Sequence, residues 1–168
     1  MATKAQVTVE QYLQMTFEHD AEFVHGEIVE RALPDNTHSL IQFLILMAIG
    51  RLIQSHPVFP RPELRVRLAP DVFRIPDISV FAGEAPKQSV PSEPPLLVIE
   101  ILSKDDRDRN LMVKLEEYRV WGVPNTWVVD PLSKRLSIYT ERGLQNVSSL
   151  ALPGYPLELT PAVLFSDL

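Results

Sequence analysis

Leu96-Leu97-Val98-Ile99-Glu100-Ile101-Leu102 decides the fold, because six of its seven residues are Leu, Ile or Val. A short apolar run without alternation reads as a strand covered on both faces. Such a strand lies inside a sheet with further layers above and below it. A proline-rich loop, Pro86 to Pro95, precedes it. After it, Asp105, Asp106 and Asp108 crowd the start of a helix, where the dipole favours acids. That helix is predicted to run to about Trp121 and to stop at Gly122.

Further elements read outward from this strand. Thr8 and Gln11 form a capping box for a short helix from about Val9 to Phe17. Glu22-Phe23-Val24 and Glu27-Ile28-Val29 flank His25-Gly26, which reads as a hairpin with positive φ at Gly26. Pro34 to Thr37 is a turn and helix start, and His38 to Gln54 is apolar almost all round, as in a core helix. Pro57, Pro60 and Pro62 predict a stiff loop. Glu63 to Leu68 alternates, which predicts a strand with one wet face, and Ile75 to Ala82 predicts a second strand. Thr126 to Val129 reads as another buried strand and Leu136 to Tyr139 as the last one. The tail from Leu150 reads as an irregular cap. The expected fold class is a mixed α/β or α+β domain, one unit over residues 1–168 around one sheet.

Glu100 carries the chemistry. An ionised carboxylate inside such a run costs several kcal/mol, roughly, unless it is paired, neutralised or metal-bound. Three more charges sit in apolar segments: Glu22 in AEFVHGEIV, Asp77 in IPDISVF and Lys114 in LMVKLEEY. Asp77 shares a strand face with Ser79 and Phe81, and Glu100 shares one with Val98 and Leu102. If those faces align, the two carboxylates converge. Together with the Ile101 backbone carbonyl they suit a hard cation, Mg²⁺ or Mn²⁺, that keeps several waters. Without metal, the two acids are expected to raise each other's pKa. Lys114 lies beside the stripe of Leu111, Leu115 and Tyr118, so its ammonium can reach the site along its stem. Glu22 suits a second metal or the positioning of water.

Other residues have plainer readings. Tyr118 and Trp121 read as core, and Asp130 as a turn acid. Arg65 and Arg67 read as the wet face of a strand, with DNA-backbone contact as the alternative. His38 can reach the site, or it can pack or cap its helix.

Composition excludes several functions. The 168 residues contain no cysteine, so disulfides, thiolate zinc sites and cysteine nucleophiles are ruled out. No signal core begins the chain, and Leu40 to Ile49, the longest apolar stretch, is too short to span a bilayer. A cytoplasmic protein is expected. The net charge of -6 argues against nonspecific, charge-driven nucleic-acid binding. Local basic clusters remain at Arg61, Arg65 and Arg67, and at Lys104, Arg107 and Arg109.

These residues resemble a known pattern. EFVHGEIVE, THSLI, PDISVF, VIEILS, DRNLMVKLEEYRVWGVPNTWVVDP and LPGYPLELTPAVLF occur in order along nearly the whole chain. The chain resembles the Uma-two type of restriction-endonuclease family within the PD-(D/E)XK nuclease superfamily. That resemblance implies a restriction-endonuclease-like core: a mixed sheet flanked by helices, with an N-terminal helix-hairpin extension. It makes Asp77 and Glu100 the metal carboxylates, Glu22 the acid of the N-terminal motif, and Lys114 a lysine that has moved onto the helix. The superfamily's usual lysine position falls on Leu102, and His25 stands where the family often has Asp. The implied function is a divalent-metal-dependent DNA endonuclease. The alternative is a weakly active or inactive scaffold for protein association or nucleic-acid binding. Apolar surface left on strands and loops makes a homodimer a further expectation.

Overall fold

The computed structural model describes residues 6–103 and 108–168. The strand that Leu96 to Leu102 foretells is β7 (Leu97–Ile101), buried at all five positions. It pairs antiparallel with β6 (Ile78–Ala82) and parallel with β8 (Asn125–Asp130). With β3 (Val58–Pro62), β9 (Arg135–Thr140) and β10 (Gly143–Val147) they form one mixed sheet, in the order β10-β9-β8-β7-β6-β3.

Each face of β7 is covered by a helix. Helix α2 (Asn36–Leu52) is capped by Asp35, whose side chain accepts from the His38 N–H at 2.9 Å. It buries Ile41, Ile45, Ile49 and Leu52 in the main core with Leu97, Ile99 and Ile101. Helix α3 (Asp108–Trp121) covers the other face, packing Leu115 and Tyr118 on Val98 and Val128. Gly122, at φ 107°, ends it as the sequence predicts.

A second sheet stands beside the first, with the order β2-β1-β5-β4. It comprises β1 (Ala21–Val24), β2 (Glu27–Glu30), β4 (Val66–Ala69) and β5 (Val72–Arg74). The β1–β2 hairpin forms as expected, with both His25 (φ 49°) and Gly26 (φ 87°) in the left-handed region. Helix α1 (Val9–Gln14) keeps its Thr8–Gln11 capping box but ends three residues before the expected Phe17. Its Tyr12 stacks on Phe23 at 5.1 Å and donates to the Ala21 carbonyl at 2.8 Å. That contact anchors β1, and Glu22 with it.

Several expectations are corrected. Among the described residues there is not one sheet but three, the last a pair of β11 (Leu150–Ala151) and β12 (Glu158–Leu159). The tail is more ordered than an irregular cap. It ends in α4 (Pro161–Phe165), which buries Leu164 and Phe165 in the main core. Tyr139 does not close the last strand, because β10 follows it. Val58 to Pro62, expected as part of a stiff loop, is an edge strand, where missing N–H groups are tolerated. Helix α2 is one-sided after all: Phe43 is 58% exposed and Met47 50%. The strand expected from Glu63 starts only at Val66, since Glu63 is left-handed at φ 49°.

The predicted strand Ile75 to Ala82 is shortened to β6, which begins only at Ile78, two residues past Pro76, while Val72–Arg74 before it form β5. Proline has no N–H for an interior ladder. The chain therefore leaves the small sheet after Arg74 and enters the large one at Ile78, with Asp77 at the crossing. Lys104, Asp105, Asp106 and Arg107, and the side chains of Asp108 and Arg109, lie outside what the structure describes.

Candidate active site

The pairing of β6 with β7 sets the first geometric fact. Ile78 faces Ile99, so one further step of the antiparallel register brings Asp77 opposite Glu100. Ile78, Val80, Leu97, Ile99 and Ile101 point to the α2 side, in the main core. By alternation Asp77 and Glu100 share the other face, toward α3. The face alignment required by the sequence argument is therefore present.

Helix α3 delivers Lys114 and Tyr118 one turn apart. Lys114 Nζ lies 3.0 Å from Glu100 Oε1 and 2.9 Å from Glu22 Oε1. Tyr118 donates its hydroxyl to Glu100 Oε1 at 2.7 Å. Glu22 is fully engaged: Oε1 also accepts from the Ile75 N–H at 2.9 Å, and Oε2 from Arg74 Nη1 at 2.8 Å. Arg74 continues to Glu117 Oε2 at 2.7 Å, tying β1 and β5 to α3.

Asp77 is held from β7, from α2 and from the residues just past β2 and β3. Its Oδ2 accepts from the Ile101 N–H at 2.7 Å and lies 3.3 Å from His38 Nε2. Its Oδ1 accepts from Arg31 Nη2 at 2.7 Å. Its backbone carbonyl accepts from Gln42 Nε2 at 3.0 Å and from the Glu63 N–H at 3.1 Å. All four predicted side chains, and Ile101, line one cavity of about 510 Å³.

The expectation that the two acids raise each other's pKa holds for Glu100 and fails for Asp77. Burial pushes Glu100 up to about 7 against the pull of Lys114, with Asp77 and Glu22 adding to the rise. Burial also works against Asp77, but His38, Lys114 and Arg31 outweigh it and hold Asp77 below the usual carboxylate range. Glu22 is likewise buried yet lowered, by Lys114, Arg74 and the Ile75 N–H. Lys114 loses solvation too, but Glu100, Glu22 and Asp77 keep it firmly protonated. Burial opposes a charge on His38, and Asp77 more than offsets this, raising its pKa. Two neighbouring acids whose pKa values are driven apart are the usual mark of a proton-handling pair.

The donor set bears on a metal. Among the described residues no group of three or more His, Asp or Glu is gathered into a ready metal cage. A magnesium ion does not need one: one or two carboxylates with several waters are its common protein ligands. The cavity also carries an excess of acids, with Glu22, Glu27, Glu30, Glu63, Asp77 and Glu100 against Arg31, Arg74 and Lys114. A hard cation fits that balance, and the carboxylates that face each other in register are Asp77 and Glu100.

A family model described as "Uma2: Putative restriction endonuclease" matches residues 9–164. The chain belongs to the Uma2 family. Among solved structures, "a putative nuclease belonging to DUF820" from Anabaena variabilis superposes with a TM-score of 0.84 at 24% identity. The match covers 95% of this chain and 98% of that one, and it establishes a shared fold. No curated protein matches. The restriction-endonuclease-like architecture thus joins the Uma2 assignment, and the chain takes its place in a family described as nucleases.

In this Uma2 chain Leu102, where the resemblance would place a lysine, is partly buried against the α3 cluster. The ammonium beside Glu100 is that of Lys114 on α3. Arg31, Arg74 and Gln42 were not expected at the site, and Tyr118 was read as core in preference to base stacking. Arg74 had the same signal as Glu100, a charge inside an apolar stretch, VFRI. Tyr118 stands four residues after Lys114, on the same helix face. Arg31 and Gln42 had no such signal. Arg65 and Arg67 are occupied by the fold: Arg65 lies 5.1 Å over the Tyr12 ring and Arg67 5.4 Å over Phe73. Asp130 closes a turn, accepting from the Leu132 N–H at 3.0 Å. Among the described residues no helix is long and apolar enough to cross a membrane.

Proposed function

We propose that the chain is a divalent-metal-dependent endonuclease that hydrolyses phosphodiester bonds in DNA. The observation that carries this reading is the meeting of Asp77, Glu100 and Lys114 at one cavity, with the two acids driven to opposite pKa values. Asp77, Glu100 and the Ile101 carbonyl would hold Mg²⁺ or Mn²⁺. Such an ion acidifies a bound water and offsets charge on a phosphoryl oxygen.

The chain's own residues divide the remaining work. Asp77 stays anionic. Glu100, raised by burial while the site is metal-free, ionises as it takes up the ion. The attacking water gives its proton to solvent as its oxygen bonds to phosphorus, and the leaving oxygen departs with a proton from water. Lys114 stays cationic, so it stabilises negative charge in the transition state and does not act as a base. Glu22, with every oxygen engaged, aims Lys114 at Glu100. Arg74 and Tyr118 hold that arrangement in place.

The scaffold reading has one observation in its favour. The acids are already satisfied by protein donors, which a purely structural ion network would also show. Plasmid cleavage separates the two readings. Wild type with Mg²⁺ or Mn²⁺ is expected to cut and to stop in EDTA. Asp77→Ala is expected to be inactive. Lys114→Met is expected to lose at least tenfold, about 1.4 kcal/mol of transition-state stabilisation. Equal activity in all three proteins would trace the cutting to a contaminant, and no cutting by wild type would leave the scaffold.

A further inference from the structure

The three cationic side chains of the cavity are anchored differently. Lys114 bridges Glu22 and Glu100, and Arg74 bridges Glu22 and Glu117. Arg31 makes one side-chain ion pair among the described residues, to Asp77 Oδ1. That oxygen is a significant one. The other, Oδ2, is tied to the Ile101 amide, which the β7 ladder holds in place, and to buried His38. A ligand joining Asp77 therefore meets Oδ1, and Arg31 already occupies it.

We propose that Arg31 is a resident cation, which neutralises Asp77 until a divalent ion binds and then releases it to grip a phosphate of the substrate. This rests on the reading of Asp77 and Glu100 as the metal-binding pair. Two cations cannot crowd one carboxylate oxygen without strong repulsion. Glu22, Glu63 and Glu100 also lie within electrostatic reach of the guanidinium, so it stands amid the acids that attract a metal. The backbone need not move: the Arg31 N–H stays bonded to the Asp20 carbonyl at 3.2 Å, just past β2. The side chain is 17% exposed at the cavity wall, so rotation about its own bonds carries the fork into open space. There its paired N–H groups match the non-bridging oxygens of a phosphodiester. Metal loading and substrate grip are thereby coupled, and a metal-free site is kept from holding DNA.

Calorimetric titration with Mn²⁺, without DNA, tests this on the full chain. Arg31→Gln is expected to bind Mn²⁺ at least fivefold more tightly than wild type, and Arg31→Lys to remain close to wild type. DNA affinity in Ca²⁺ is expected to fall in Arg31→Gln, in the opposite sense to its metal affinity. Unchanged or weaker Mn²⁺ binding by Arg31→Gln overturns the proposal. Guanidinium nitrogen NMR of wild type gives a second readout, for which only the conservative Arg31→Lys variant is needed, to assign the signal. The Arg31 signal, assigned by its loss in Arg31→Lys, should move toward a free guanidinium as Mg²⁺ is added. A signal that stays fixed while metal binds also overturns it. Asp77→Asn distinguishes the two levels: Mn²⁺ binding that survives this change, or is absent from both wild type and Arg31→Gln, defeats the metal-site reading itself.

Discussion

Glu100 is the residue at which burial and function pull in opposite directions. Its side chain is 7% exposed, and its pKa is pushed up to about 7. A folded pKa above the unfolded value means that the native state holds the proton more tightly. Stability from Glu100 is thus full below the ordinary carboxylate range and is lost as pH rises toward 7. Glu100→Gln has no proton to lose. Its melting temperature, relative to wild type, should climb between about pH 4.5 and pH 7 and then level off, the change amounting to a few kcal/mol. Melts of both proteins across that window, without metal, check it. A flat difference would mean that Lys114 and Tyr118 satisfy the ionised form fully. The Gln variant should meanwhile lose any Mg²⁺-induced stabilisation.

The elements meet through one buried network. Arg74 on β5 joins Glu22 on β1 to Glu117 on α3, and Lys114 on α3 joins Glu22 to Glu100 on β7. The small sheet is thereby fastened to α3 and the large sheet by charge as well as by packing. Removing one partner of a buried pair strands the other. Arg74→Met is expected to cost roughly 3–5 kcal/mol in urea unfolding. A second change, Glu22→Gln in the same chain, should recover part of that loss, because it removes the stranded charge. A loss below about 1 kcal/mol would put Arg74 among weakly contributing surface pairs.

The whole molecule carries a net charge of -6, and its cavity is acidic as well. DNA is a dense polyanion, so the net charge gives this chain no long-range attraction to it. Under the proposed function, cations added at the site are expected to supply the affinity. Band-shift titrations should show binding at least tenfold tighter in Ca²⁺ than in EDTA, about 1.4 kcal/mol. The same ratio measured in Asp77→Asn should fall to near unity. Equal binding in EDTA and Ca²⁺ by wild type would locate the DNA contacts away from this cavity.

What the sequence alone determined was whatever depends on near neighbours. The apolar run of β7 declared a strand covered on both faces. Thr8 with Gln11, Asp35 and Gly122 marked helix ends through backbone groups a few residues away. His25-Gly26 marked the hairpin by its φ requirement. Charges placed in apolar segments marked Glu22, Asp77, Glu100 and Lys114, because desolvating a charge is costly wherever it happens. Tertiary structure decided the partners. Pro76 looked like part of one strand, but it lies between β5 of the small sheet and β6 of the large one, and so Asp77 stands at the crossing. The prolines of β3 looked like a loop, and only an edge position makes them a strand. Arg31 and Gln42 reach Asp77 across 46 and 35 residues of chain, separations at which no local pattern constrains contact. The unequal pKa values of Asp77 and Glu100 likewise follow from which cations the fold brings to each. Residue type announces that a buried charge needs a partner; only packing selects which one.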